Sequence, residues 1–292
     1  MPEHHFLEDI LYPYMRETDS DRKRSTRESE ASCSRRLEAF FKGYYLGVRQ
    51  TSRNRALTGA VVRQYRERRK LEGVSPQTVK RELALASKAV NYAISEWDYD
   101  VDNPFRGRLM SRRDALALEV RAFRVLSAAE EARLLMAAEP LCRDVIVFAL
   151  NTGLRQGEVL GLTWDQIDGD IVRFTPAQQK SGRHGARALN ERALGVLARQ
   201  EEVGEHVFHR EGRRLNRHEF RTLWQKARAK AGLPDVRFHD LRKNLGQRLL
   251  EATGDIVAVQ YQLGHADIRT TQRIYTTEPL DRLREAVRRI VE

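Results

Sequence analysis

The sequence predicts a mainly α-helical protein with a small β-sheet, divided into a helical front domain and an α+β rear domain. Three observations carry that prediction. At 292 residues the chain is longer than one small core comfortably organises, so two domains are the leading expectation. Apolar residues recur at three- and four-residue steps in both halves, the period of helices with one buried face. Strand signals, by contrast, are confined to 171–175 and 187–189.

Residues 1–30 combine His4, His5 and Pro13 with a polar run from 17 to 30, and read as a mobile N-terminal segment with room for one short helix. Helical spacing then begins: Leu37, Phe40, Phe41, Tyr44, Tyr45 and Val48 fall on one face, and a second helix runs through Val61, Val62 and Tyr65. Ser75-Pro76 marks the clearest helix start of the front half, with Ser as N-cap, Pro in the first turn, and Val74 and Val79 placed as a hydrophobic staple. Asn103-Pro104 stops regular structure, because the residue before proline is driven from the helical region. Arg106, Arg108, Arg112 and Arg113 then make a basic connector. The front domain with this linker covers 31–118, and the rear domain 119–292.

In the rear domain Ser127 with Glu130 three residues on forms a capping box. An apolar helix over 141–151 ends at Gly153, which suits a left-handed cap. The two strand segments pair across a loop holding Lys180 and Gly182. Beyond Glu191 the pattern is helical, broken at Gly204, Gly212, Gly232 and Gly254.

Charge points to the partner. Lys and Arg number 52 against 41 Asp and Glu, a formal +11, and a polyanion rewards that excess through counterion release. Cys33 and Cys142 are too few for a disulfide framework and lie outside any zinc spacing, which suggests a reducing cytoplasm. The apolar run 145–150 is far below membrane-spanning length, and the opening Met-Pro-Glu-His-His lacks a signal-peptide pattern. His206, His209 and His218 have no Cys or carboxylate at a recognised metal spacing, so no metal is expected.

Four clusters carry chemistry: Thr152-Gly-Leu-Arg155-Gln-Gly-Glu158, Lys180-Ser-Gly-Arg183, His239-Asp-Leu-Arg242, and Leu263-Gly-His265 followed by Thr270-Thr271-Gln-Arg-Ile-Tyr275. Each has an ordinary reading and a chemical one. Arg155 just past a capping glycine suits an anion at a helix N-terminus, with Glu158 fixing its guanidinium, or else an exposed Arg–Glu pair. His239 and Arg242 share a helix face and fit a phosphate as donor and planar fork, or simply meet solvent. Lys180 at a hairpin tip is ordinarily exposed, with Arg183 and Arg187 close enough to compete for its role. His265 after Gly264 is a cap or a ligand. Tyr261 rivals Tyr275.

Taken together, in this order and spacing, the clusters resemble the tyrosine site-specific recombinases, the phage-integrase and Xer-like family. The front half is similar to that family's helical core-binding domain through Gly73-Val-Ser-Pro-Gln-Thr-Val-Lys80-Arg81-Glu82-Leu83, Asn91-Tyr-Ala93 and Asn103-Pro104. The resemblance implies a tyrosine-recombinase catalytic domain in which Tyr275 is the nucleophile. Arg155, His239, Arg242 and His265 would hold the scissile phosphate, Lys180 would protonate the leaving 5′-oxygen, and Glu158 would support Arg155. It implies a 3′-phosphotyrosyl intermediate and a Holliday junction, without metal, ATP or other cofactor.

The partners would be double-stranded DNA with specific recombination sites and a homotetramer on two paired sites, with an accessory DNA-bending protein as an optional addition and no membrane. The setting would be cytoplasmic and nucleoid-associated. Arg66, Arg68, Arg69, Lys70, Lys80, Arg81 and Lys88, with the linker arginines, are expected to line the duplex. A tail helix carrying Leu280, Leu283, Val287, Ile290 and Val291 would dock on a neighbouring protomer. Two departures stand out. Tyr275 lies ten residues after His265, one more than the family usually has, and Lys243-Asn244 follows Arg242 where His-Thr is common. An extra helical residue turns a side chain by about 100°. The rival functions are therefore a DNA-binding accessory protein of the same fold that has lost cleavage, and type IB topoisomerase-like relaxation.

Overall fold

The computed structural model describes residues 5–20, 22, 24–47, 55–107, 109–114, 124–176, 185–265 and 267–275. Lys180, Arg183, Arg108 and the expected tail helix lie outside them. The chain forms two compact units, Met1–Ala122 and Phe123–Glu292.

The first unit is helical: α1 (Leu7–Glu17), α2 (Arg24–Phe41), α3 (Gly59–Leu71) and α4 (Pro76–Glu96). Its core gathers Leu7, Ile10, Leu11, Leu37, Phe41, Val62, Tyr65, Leu83 and Val90. The expected mobile segment is thus corrected. Leu7, Ile10, Leu11 and Tyr14 are one helical stripe and are buried, so α1 belongs to the core rather than preceding it. Helix α4 starts as its sequence dictates, with Ser75 Oγ accepting from the Thr78 N–H at 3.3 Å. After it, Asn103 Nδ2 donates to the Ser87 carbonyl at 3.0 Å while its Oδ1 accepts from Phe105 N–H at 2.9 Å, so one amide fastens the exit from α4.

A second expectation fails at Tyr44 and Tyr45. They do not extend a helix but form strand β2 (Tyr44–Leu46), antiparallel to β1 (His5–Phe6) and parallel to β3 (Arg55–Ala56). Gly43 is the physical reason: at φ +79° it ends the helical run, and the two aromatic residues then fit the central strand of a pleated sheet, Tyr45 fully buried.

The second unit is built on α5 (Ala128–Ala137) and α6 (Pro140–Thr152), followed by the short α7 (Gln156–Val159). Ser127 and Glu130 close the expected capping box, the serine hydroxyl accepting at 3.2 Å and the carboxylate at 3.0 Å. Strands β4 (Ile167–Asp168), β5 (Ile171–Phe174) and β6 (Gly185–Ala188) make an antiparallel sheet in which Val172 faces Arg187 and Phe174 faces Gly185. Next come α8 (Glu191–Leu197) and a two-stranded hairpin, β7 (His209–Arg210) with β8 (Arg213–Arg214). This hairpin interrupts a stretch expected to be helical. Gly212, at φ +75°, permits its turn. The chain continues through α9 (Arg217–Lys230), α10 (Phe238–Thr253), α11 (Ile256–Leu263) and α12 (Ile268–Tyr275).

Val145, Ile146, Phe148, Val172, Phe208, Phe220 and Leu241 centre one core, and Leu250, Val259 and Leu263 a smaller one between α10 and α11. No helix among the described residues is long and apolar enough to cross a membrane.

Candidate functional site

The site grows from two left-handed glycines. Gly153 caps α6 at φ +69°, and a β-carbon there would lie 2.7 Å from Leu263 Cδ2 and 2.9 Å from Leu245 Cδ2. Only glycine therefore lets α10 and α11 close on this turn. Two residues on, Arg155 is the N-cap of α7. Its N–H donates to Glu158 Oε2 at 2.8 Å and its Nη1 to Glu158 Oε1 at 2.7 Å, so one carboxylate both caps the helix and aims the guanidinium.

Helix α10 supplies His239 and Arg242 from its first turns. Arg242, 2% exposed, donates from Nη1 to the Gly153 carbonyl at 2.5 Å and from Nη2 to the Leu263 carbonyl. That planar fork spans both glycine turns, which makes it a brace as well as a charge. His239 keeps solvent access, yet desolvation and then the Arg242 charge lower its pKa.

Gly264, the second left-handed glycine at φ +61°, ends α11 and presents His265. The His265 N–H donates to the Gln260 carbonyl at 3.1 Å, and Gln260 Nε2 returns a bond to the His265 carbonyl at 3.1 Å. His265 Nδ1 lies 2.9 Å from the hydroxyl of Thr271, which is fully buried on α12. Burial first, then the charges of Arg242 and Arg155, brings the His265 pKa down to about 4. The imidazole is neutral at pH 7. Tyr275 closes α12, four residues after Thr271, so its backbone sits one turn from the His265–Thr271 contact.

Arg155, Glu158, His239, Arg242 and His265 thus come from three chain segments to one place, where Arg155 and Arg242 act on both histidines and Glu158 holds Arg155. Three further residues lacked a sequence signal for their part. Gln262 accepts from Ala188 N–H at 3.1 Å and donates to the Ala188 and Thr152 carbonyls at 2.9 and 3.2 Å, tying β6 to the end of α6. Asn244 takes the Leu126 N–H at 2.7 Å and donates to the Asp240 carbonyl at 2.8 Å. Its departure from the usual threonine marked the position but not this role. Arg187, considered above only as a rival to Lys180, points inward from β6 and is 3% exposed.

Among the cations expected along a duplex, Arg68, Lys70, Lys80, Arg81, Lys88, Arg106, Arg112 and Arg113 are exposed, and Arg66 is half-buried. Arg69 is the correction. It is buried, its Nε and Nη2 donating to Glu82 at 3.0 and 2.7 Å, so its charge is spent inside the first unit. His209 is likewise engaged locally, against the Glu201 carbonyl and the Gly212 N–H. Among the described residues, no three His, Cys, Asp or Glu side chains are grouped to hold a metal ion.

The model of the phage integrase family matches residues 124–280, which is more than half of the chain and spans every cluster from Arg155 to Tyr275. The chain belongs to the phage integrase family. The integrase of Salmonella phage P22 is 34% identical over 169 residues, covering 52% of this chain and 43% of that protein. The tyrosine recombinase XerC of Mycobacterium bovis is 30% identical over 246 residues, 78% of this chain and 82% of XerC. In three dimensions the Tn1549 transposon integrase, solved in complex with transposon right end DNA, superposes with a TM-score of 0.79 at 18% identity, covering 98% of this chain and 100% of that one. That likeness shows the fold. This integrase-family chain spans about half the length of several curated relatives it matches.

Proposed function

We propose that this protein is a site-specific DNA recombinase that cleaves and rejoins DNA through Tyr275. The observation that carries the reading is the Arg242 fork. By bonding the Gly153 and Leu263 carbonyls together it holds the turn before Arg155 against the turn before His265, so cations and imidazoles converge beside the helix that ends in Tyr275.

A phosphodiester in that place has a guanidinium for each non-bridging oxygen, Arg155 for one and Arg242 for the other. A phenol with a pKa near 10 is a poor nucleophile until its proton leaves. With its lowered pKa, His239 is a neutral acceptor for that proton, while His265 donates a hydrogen bond to the phosphate. The Tyr275 oxygen then bonds to phosphorus, the bond to the 5′-oxygen breaks, and Lys180 protonates the departing oxygen. The 3′-phosphotyrosyl link conserves the bond energy, so the steps use neither ATP nor a metal. A 5′-hydroxyl from a partner duplex reverses them, and two such exchanges pass through a Holliday junction within a tetramer on two paired sites. An accessory bending protein would act on the DNA rather than on this chemistry. The activity belongs to a DNA-associated, cytoplasmic protein.

The test is a suicide substrate: nicked duplexes from the flanks of its own gene, incubated without metal with wild type and Tyr275→Phe. Wild type is expected to give a denaturation-resistant adduct that the variant lacks. The ten-residue interval from His265 to Tyr275 favours one second reading, an accessory protein that binds sites without cleaving. Site-specific binding with no adduct would select it, relaxation of plasmids lacking a site would select a topoisomerase-like activity, and an adduct persisting in the variant would mean another nucleophile.

A further inference from the structure

Arg187 is a buried charge of the second unit that the mechanism above leaves unused. It lies on β6 opposite Val172, on the sheet face that carries the apolar residues Val172 and Phe174, where strand alternation calls for a hydrophobic side chain. Its guanidinium reaches past the Phe174 ring, 5.7 Å from the centroid, to Gly264. A β-carbon at Gly264 would overlap Nη2 outright, so the glycine before His265 is the space that the guanidinium fills. Nη1 donates to the Ala186 carbonyl at 2.6 Å, Nε is buried without a partner, and Nη2 has none among the described residues. Nor does any described carboxylate pair with it. Burial lowers its pKa, with Glu158 opposing and Arg155 adding to the shift.

Arg242 holds the carbonyl of Leu263 and Arg187 abuts Gly264, so two guanidiniums bracket the turn that presents His265. An apolar residue would fill the strand position without the cost of desolvating a charge, and a structural arginine would find a counterion. The unmet donors belong to a charge that acts on His265 and is itself acted on by Arg155 and Glu158, which puts it in the same neighbourhood as the site.

We infer that Arg187 is a third catalytic arginine, donating from Nη2 to a non-bridging oxygen of the scissile phosphodiester. The inference rests on the cleavage reading above and adds to it. A diester carries one negative charge, but the five-coordinate transition state carries a second, and two guanidiniums matched to the ground state leave that added charge unanswered. Arg187 supplies the donor whose contact strengthens as that charge develops.

The experiment compares wild type, Arg187→Met and Arg187→Lys on two nicked duplexes, one with an ordinary phosphodiester and one with a neutral methylphosphonate at the bond that wild type cleaves. Arg187→Met is expected to slow adduct formation about 100-fold on the phosphodiester, to change the methylphosphonate rate less than about threefold, and to leave duplex binding unchanged, with Arg187→Lys recovering part of the rate. Equal losses on both duplexes would mean a merely structural arginine, and no loss would remove Arg187 from the site. Should Arg187→Met fail to fold, Arg187→Lys carries the same comparison.

Melting in rising inorganic phosphate separates this inference from the reading beneath it. If wild type forms no adduct but phosphate stabilises it more than Arg187→Met, cleavage fails while the anion site at Arg187 stands. Without adduct and without that difference, both fall.

Discussion

Each half of the molecule buries an arginine, and the two halves treat it in opposite ways. In the first unit Arg69 meets Glu82 through two hydrogen bonds, the Tyr65 hydroxyl donates to the same carboxylate at 2.7 Å, and the bonds to Glu82 are the chief cause of a raised Arg69 pKa. In the second unit Arg187 has a backbone carbonyl for one nitrogen and nothing for Nε, and burial depresses its pKa. The first is a charge closed by its own protein; the second is a charge left for something outside it. Burial alone therefore does not set purpose, and the counterion is what separates a core ion pair from a site built for an anion.

The largest effect that tests this contrast comes from removing the counterion. Glu82 is 1% exposed, so Glu82→Gln leaves Arg69 buried with only the more exposed Glu72 beside it. An unfolding free energy lower by about 3 kcal/mol is expected from urea titration. Replacing the whole cluster, Arg69→Met with Glu82→Leu and Tyr65→Phe, is expected to return to within about 1 kcal/mol of wild type, since no charge and no hydroxyl is then left buried without a partner. If Glu82→Gln alone unfolds within about 1 kcal/mol of wild type, the first unit does not depend on its ion pair and the contrast breaks.

A smaller effect sharpens the other side. His265, at about 4 when folded, sits below the ordinary histidine value near 6.5. Between those values the unfolded chain binds a proton that the folded site refuses. Stability contributed by His265 is thus complete above pH 6.5 and is lost as pH falls towards 4. From pH 7 to pH 5 the expected loss at this one group is about 1 to 2 kcal/mol. It is read as the difference between wild type and His265→Gln, which cancels the titration of the carboxylates. Parallel curves for the two proteins would show that the cationic surroundings do not hold His265 neutral.

How much of this was legible in the sequence depends on the reach of each interaction. Ser75 and Ser127 act on residues three positions away, so their caps could be read directly. Arg155 with Glu158, and the order of Arg155, His239, Arg242 and His265, were legible for the same reason: local spacing and sequence order carry them. Tyr44 and Tyr45 were not, because helical periodicity runs through them and only pairing with residues 5–6 and 55–56 makes them a strand. The stripe of Leu7, Ile10, Leu11 and Tyr14 had a local signal, but the polar run after it outweighed it. Gln262 and Arg187 had none. Gln262 joins groups 74 and 110 residues away, and the meaning of Arg187 depends on which face of a short strand is covered and on a glycine in a distant turn.

The same contrast predicts the weakest effect, at Lys80. Arg69 and Lys80 both belong to the positive excess of the first unit, but Arg69 is neutralised by Glu82 and Lys80 is exposed on α4. A charge that releases counterions from a duplex must be free to reach a phosphate, and each such contact contributes about 0.9 to the slope of log affinity against log salt. Lys80→Ala is expected to reduce that slope by about that amount while unfolding changes by less than about 0.5 kcal/mol. Arg69→Met should do the reverse, lowering stability and leaving the slope unchanged, because its partner is inside the protein. Measuring both slopes by duplex titration over a range of salt decides whether exposure or mere abundance of cations sets the affinity: an unchanged slope in Lys80→Ala would take α4 off the duplex, and a reduced slope in Arg69→Met would mean that the Glu82 pair opens when DNA binds.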